Sequence, residues 1–437
     1  MRRHDGIADR AAVTGVGMTA LTRSSGRSAL SLAAEAARAA LADAGLEPTD
    51  VDAILTYHLG EADQAPATGL ARELALPRLG WHNDVHGGGT QCASLLGDAA
   101  MLIATGQAAT VLVSRALNGR SGHRMNRQGL RLGTGIEAQF TLPYGVLGPV
   151  EHFALVARAY LHTAGLDTDD LAAVVAASRD HAAANPRALR RAPLPPADHR
   201  AAPMVADPLR RADCCQETDG ACALVLTAAD RSDAAGAPRV RAVVRGGRPD
   251  LSRLDRSPDP AAVFSSDLAP RLYAAAGMGP RDVDVALLYD AYSFLVPRQL
   301  TDFRLVAPAG LADALRTGAI GATGRIPVNP HGGLLSEGYV HGLNNVAEAV
   351  RQLRGDGVNQ VPGAEVALCT GFGGAYGSAA LLVADSGRRP SGSRATGIPS
   401  SRSPAGARVV KNQSRNRSWP RTGVAGASAC SPTRWNR

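Results

Sequence analysis

The 437-residue sequence predicts an α/β protein with helices on both faces of mostly buried sheets. Three observations point there. Short apolar runs of strand length alternate with helix-spaced runs along most of the chain. Several of the strand-like runs carry no polar face, as strands covered on both sides do. Hydrophobic residues make up 45% of the chain, enough for a large core in one big or two medium domains.

Ala12–Val16 is the first apolar strand, and Ser31–Ala42 has helical periodicity with Gly45 placed to stop it. Val51–Tyr57 returns to strand, Ala93–Ala104 reads as a buried helix, and Thr110–Ser114 as a buried strand. Asn118–Arg211 is rich in Arg, Gly, Pro and Ala and reads as a long excursion with two or three helices. An excursion of that length is usually functional, often a lid. Cys222–Thr227, Val240–Val244, Asp284–Tyr289, Val366–Thr370 and Ser378–Val383 are the remaining strands. No sequence repeat is visible.

Charge narrows the function classes. Residues 386–437 hold eleven Lys and Arg and no acid, so the net charge of +8 becomes −3 for residues 1–385. That segment, rich in Ser, Pro, Gly and Arg, is expected to be a disordered, solvated tail and not a nucleic-acid binder. No apolar run approaches the ~18 residues of a membrane span. The start, M-R-R-H-D-G-I-A-D, has no hydrophobic stretch of a signal peptide. Six cysteines spread over this length fit reduced thiols in the cytoplasm, and Cys214, Cys215 and Cys222 match no usual zinc spacing.

The stretch Ile326–Asn345, I-P-V-N-P-H-G-G-L-L-S-E-G-Y-V-H-G-L-N-N, carries the most chemistry. Tyr339 and His341 lie between Gly338 and Gly342, ahead of the helix-spaced Val346, Val350 and Leu353. Glycines let backbone approach a ligand, so this reads either as a proton-handling loop opening onto a helix or as a surface turn. His86-Gly87-Gly88-Gly89-Thr90-Gln91-Cys92 precedes the helix at 93–104 and offers backbone N–H groups to an oxyanion. Leu287–Phe294, L-L-Y-D-A-Y-S-F, places Tyr289 at a strand end. Cys369 lies in a strand ending in Gly371-Phe372-Gly373-Gly374, and a strand-like run follows, so no dinucleotide fingerprint is present.

Taken together, N-P-H-G-G…G-Y-V-H-G, the glycine-opened helix ending in Ala104-Thr105-Gly106-Gln107-Ala108, the Tyr289 loop, the Cys369 strand and Asp219-Gly220-Ala221 resemble five stretches of the thiolase superfamily. They occur in the family's order across residues 8–385. The resemblance implies two related βαβ-type halves in a five-layer α-β-α-β-α arrangement, divided as 1–238 and 239–385. It also implies departures at the catalytic stations. Gly89 falls where a thiolase has its nucleophilic cysteine, Tyr289 where it has an asparagine, and Tyr339 where it has a histidine. Cys369 alone keeps its usual residue, and Cys92 lies three residues late for a nucleophile.

This pattern is similar to the lipid-transfer-protein branch, whose members act as aldolases on β-hydroxyacyl-CoA, including steroid ones. By that resemblance Tyr289, Tyr339, His341 and Cys369 are the catalytic candidates, and Gly89, Gly373, Gly374 and His331 form the oxyanion and substrate loops. Coenzyme A enters as part of the substrate, with no bound cofactor or metal. A homodimer and an OB-fold/zinc-ribbon partner protein are further implications. Two other readings stand beside it: a thiolase-type acyltransferase such as an acetyl-CoA acetyltransferase, using Cys92 or Cys369, and a non-catalytic acyl-CoA or lipid-binding subunit.

Overall fold

The computed structural model describes residues 6–60, 63–122, 136–251 and 257–385. The expected tail at 386–437 and part of the 118–211 excursion lie outside the described residues. The described residues form one compact unit.

The strands are β1 Ala11–Met18, β2 Ala53–His58, β3 Trp81–His86, β4 Thr110–Asn118, β5 Met204–Ala206, β6 Leu209–Arg210, β7 Asp219–Ala228, β8 Arg239–Gly247, β9 Val285–Leu287, β10 Val366–Phe372 and β11 Tyr376–Val383. Helices are α1 Ala29–Ala44, α2 Ala67–Glu73, α3 Ser94–Ala104, α4 Ile136–Thr141, α5 Pro149–Ala164, α6 Thr168–Ala183, α7 Pro196–Ala201, α8 Ser265–Ala276, α9 Leu295–Asp302, α10 Leu311–Arg316, α11 Gly333–Ser336 and α12 Leu343–Arg354. The excursion thus holds four helices among the described residues, more than expected. The strand expected at Asp284–Tyr289 is shorter, and the chain leaves the sheet before Tyr289. Strand β3 was not anticipated, because its residues are almost all exposed and show no burial pattern.

Hydrogen bonds join nine strands in the order β3-β2-β4-β7-β1-β8-β11-β10-β9. Outward from the antiparallel β1–β8 seam, each side runs antiparallel, antiparallel, then parallel. On one side β3 adds a last parallel neighbour, and on the other Val328 does so by a parallel bridge to Ala286. The two sides therefore repeat one strand order, although no sequence repeat shows.

Layering follows from which strands each helix covers. Helix α1 packs on β1, β7 and β4, α2 on β2 and β3, and α8 on β8 and β11, whereas α3 and α12 touch strands from both sides of the seam. This gives outer helices, strands, central helices, strands and an outer helix. Helix α1 starts where the Ser28 side chain accepts from the Ser31 N–H and stops at Gly45, φ 67°. It lies close on β1: a Cβ at Gly15 would come within 2.9 Å of that of Ala44. Helix α12 buries most of its length, and Val346, Val350 and Leu353 share its apolar side as their spacing predicts. Among the described residues no helix is long and apolar enough to cross a membrane.

Candidate functional site

The stretch 326–345 is interior, not a surface turn: every residue from Ile326 to Val350 is buried. Its second half forms a loop that Gly342, φ 84°, turns into α12, with His341 also left-handed at φ 48°. A histidine rarely adopts that conformation, and surrounding bonds hold it there. The Tyr339 N–H donates to Thr218 Oγ1 at 3.0 Å, and Tyr339 bridges Glu217 in parallel. On the other side Asn344 Nδ2 donates to the Gly338 carbonyl at 3.1 Å. The Glu217-Thr218 pair just ahead of β7 thus grips the tyrosine loop.

Tyr289 is fastened at both ends of its peptide unit. Its N–H donates to Thr370 Oγ1 at 2.8 Å, Thr370 donates to Gln299 Oε1 at 2.6 Å, and Gln299 Nε2 returns to the Tyr289 carbonyl at 2.9 Å. The ring is 2% exposed and stands edge-on to Tyr339, with the two phenol oxygens 2.8 Å apart. Burial, then Tyr339, pushes the Tyr289 pKa well above the ordinary tyrosine range, so this phenol stays protonated at neutral pH.

Gly89 explains why that ring fits. A Cβ there would stand 2.6 Å from Tyr289 Cε2 and closer still to Cζ and Oη. The phenol occupies the space into which any side chain at 89 would point, so position 89 must be glycine while Tyr289 keeps this pose. Gly373 faces the same turn, pressed on the Thr90 hydroxyl, and Gly374, φ 91°, lies beside Phe153 in the β10–β11 hairpin. An aromatic wall runs past the phenols: Phe372 lies 6.0 Å from Tyr289, Phe153 lies 4.9 Å from Phe372, and Tyr292 lies 5.3 Å from Phe153, centroid to centroid.

The thiols are less favourable. Cys92 lies just ahead of α3, following a short 3-10 turn that the glycines form at 88–91. Its side chain is fully buried, its Sγ lies 3.5 Å from the Thr370 carbonyl, and burial pushes its pKa up to about 12. Cys369 is equally buried, and burial, then Cys92, raises it further. Neither supplies a thiolate at neutral pH. Cys214 and Cys215 are only partly buried, and no metal-binding cluster occurs among the described residues.

His331 goes elsewhere. Its Nε2 meets Asn345 Oδ1 at 3.1 Å and lies 3.6 Å from Glu337 Oε2, in a buried polar cluster beneath α12. Burial alone would raise Glu337, but His331, Arg187, Asn344 and Asn185 outweigh it and hold the carboxyl below its usual range. Arg187 also pairs with Glu348 at 3.2 Å. The cluster fixes the loop's far side, and His331 is bonded into it and not to the phenol pair. Asp290 accepts from the Leu334 and Leu335 N–H groups at 2.8 and 3.4 Å, and burial lifts it to about 6.

The structure therefore brings together Gly89, Cys92, Tyr289, Tyr339, His341 and the Gly371–Gly374 hairpin, which come from separate parts of the chain. It adds Thr218, Gln299, Asp290 and Arg115, which motif reading passed over. Arg115 had a usable signal, a lone charge in the apolar strand V-L-V-S-R-A-L.

Comparison with known proteins fits this geometry. Residues 249–386 match the profile of the thiolase C-terminal domain-like family. The chain is 40% identical over 393 residues to a 17-hydroxy-3-oxo-4-pregnene-20-carboxyl-CoA lyase of Mycobacterium tuberculosis, covering 86% of this chain and 100% of that one. It is 36% identical over 389 residues to a steroid side-chain-cleaving aldolase of Thermomonospora curvata, covering 86% and 98%. A solved structure described as "Ltp2-ChsH2(DUF35) aldolase" superposes with a TM-score of 0.80 at 35% identity, covering 87% of this chain and all of that one.

Proposed function

This chain belongs to the thiolase superfamily, in its steroid side-chain aldolase branch, and from that premise we propose that it is a carbon–carbon lyase cleaving a steroid β-hydroxyacyl-CoA by retro-aldol chemistry. The observation that carries the reading is the phenol pair: two buried tyrosine oxygens 2.8 Å apart, set against a glycine where a nucleophile would stand.

Retro-aldol cleavage moves one proton. The β-hydroxyl loses it, the Cα–Cβ bond breaks to leave a carbonyl product and the enolate of the shortened acyl-CoA, and the α-carbon receives a proton. A hydrogen-bonded phenol pair does both jobs at once: one oxygen takes the hydroxyl proton as the other delivers its own to carbon. Neither phenol has to ionise beforehand, which suits a Tyr289 held protonated by burial. No covalent acyl-enzyme is formed, and the buried, high-pKa Cys92 and Cys369 lend the acyltransferase reading no support.

In this reading Tyr289 and Tyr339 are catalytic, His341 supports Tyr339, and Gly373 and Gly374 border the substrate. The aromatic wall of Phe372, Phe153 and Tyr292 suits a flat apolar ring system. Coenzyme A arrives with the substrate in the cytoplasm. The likeness to a structure whose description includes a DUF35 component supports a partner protein of the expected OB-fold/zinc-ribbon kind; the homodimer is proposed from the family resemblance alone. The border between halves is placed at 238/239, a division supported by the mirrored strand order.

Tyr289→Phe and Tyr339→Phe test the reading, because each keeps the ring and removes the oxygen. Each is expected to lower kcat by roughly 10²–10⁴-fold with little change in thermal midpoint. The double variant should be little worse than the poorer single. Wild-type turnover of a steroid β-hydroxyacyl-CoA by both single variants, assayed with and without the partner, would sink the assignment.

A further inference from the structure

Arg115 is 3% exposed on β4, and the phenol chemistry above makes no use of it. Its Nη1 donates to the Ala116 carbonyl at 2.8 Å, and its guanidinium stands 5.5 Å over the Tyr57 ring. Its Nε and Nη2 both reach His341 Nδ1, at 3.1 and 2.8 Å. Tyr57 donates to the His341 carbonyl at 3.0 Å, so two neighbouring strands hold the same left-handed residue.

A guanidinium has five N–H groups, no acceptor, and a charge it keeps. A ring nitrogen meeting two of those N–H groups must offer its lone pair. Nδ1 therefore carries no proton, and the proton of the neutral ring sits on Nε2, on the edge away from Arg115. Charging the ring would set a proton on Nδ1 against two donors and a second positive charge beside the first. Among the described residues, the titratable and charged groups that face His341 include Arg115 from β4, Tyr57 from β2 and Tyr339 from its own loop. Cys92 and Tyr289 approach across Gly342, Cys222 of β7 lies opposite Arg115 in the sheet, and Glu217 is bridged to Tyr339. The Tyr339 ring stands edge-on to His341, 4.9 Å between centroids.

We propose that Arg115 is a positioning residue that locks His341 as the neutral imidazole protonated on Nε2, making the ring a fixed hydrogen-bond donor in the cleavage and barring it from accepting a proton. This rests on the assignment of the reaction centre to loop 338–342.

Nitrogen NMR of the full chain labelled in histidine reads the tautomer without substrate, with His341 assigned by its loss in His341→Gln. The expected result is an unprotonated Nδ1 and a protonated Nε2 that persist from pH 7.5 to pH 5.5. Arg115→Met keeps the apolar stem and releases Nδ1, so His341 should then titrate near the ordinary value of about 6.5. Turnover should gain an acid limb, falling about tenfold further than wild type between pH 7.5 and 5.5. Arg115→Lys retains the charge and a donor and should restore the wild-type profile. If Arg115→Met does not fold, the wild-type and Arg115→Lys spectra still decide. A proton on Nδ1, or a wild-type His341 that titrates in this range, would overturn the proposal. Failure of the phenol reading looks different: the tautomer would be as expected while the Tyr→Phe variants turn over normally.

Discussion

Replacing Gly89 by alanine should inactivate the protein without removing a catalytic group. Carbon atoms rest ~3.5–4.0 Å apart, yet the new methyl would start 2.6 Å from Tyr289 Cε2 and nearer to Oη. The ring must retreat by about 1 Å or more to restore normal contact. Gly342 packs tightly on the ring as well, since a Cβ there would be 2.8 Å from Cδ2 and Cε2, so the ring cannot simply slide along that edge. A 1 Å retreat takes the 2.8 Å phenol–phenol bond beyond hydrogen-bonding range. Overpacking of this kind costs about 1–3 kcal/mol, and loss of the proton path costs roughly 10²–10⁴-fold in kcat. Urea midpoints and steady-state turnover measure the two effects separately. In a Tyr289→Ala background the methyl meets empty space, so its penalty should vanish and leave a coupling energy of about the same 1–3 kcal/mol. Wild-type turnover and stability in Gly89→Ala, or equal penalties in both backgrounds, would refute the steric interlock.

Cys92→Ala and Cys369→Ala should each lose far less than the ~10⁶-fold that deleting a nucleophile costs, and intact-mass spectrometry after incubation with acyl-CoA should find no adduct. A stable acyl group on Cys92 would restore the acyltransferase reading. Asp290, lifted to about 6 by burial, binds its proton more tightly folded than unfolded. Its contribution is therefore full below pH ~4 and lost as pH climbs through about 6, on the order of 3 kcal/mol. Glu337, held below its usual range, runs the other way: its contribution is present above pH ~4.3 and fades as pH falls. Asp290→Asn should flatten the decline in urea midpoint between pH 4 and 7, and an unchanged slope would count against it. Arg187→Met strands two buried carboxylates and should cost about 3 kcal/mol or more in denaturant titration; a cost below about 1 kcal/mol would show that the asparagines alone suffice.

Much of this was readable from sequence because it depends on local chemistry. Tyr339 and His341 stood out through the glycines that frame them, and the core strands through their apolar runs. Long-range features were harder to see. The repeat of strand order depends on pairings such as β1 with β7 and β8 with β11, made across many residues of intervening chain. His331 looked like a loop residue beside Gly332, but its Glu337 and Asn345 partners draw it into the interior. The Gly89–Tyr289 interlock joins residues 200 positions apart, and nothing in either segment alone announces the other. Strand β3 escaped because W-H-N-D-V-H lacks a buried face.

That last strand has an arithmetic consequence. Among the described residues β3, at one end of the sheet, pairs with β2 alone and leaves its outer rim without a strand neighbour, while the matching position at the other end, Val328, is 5% exposed. A molecule with one such rim has a valence of one. If two copies meet rim to rim about a twofold axis they satisfy each other and leave nothing for a third, so the expected association is a closed pair and not a fibre. Light scattering across a concentration series should then show a single step to the dimer, and any larger species would mean that a second adhesive surface exists.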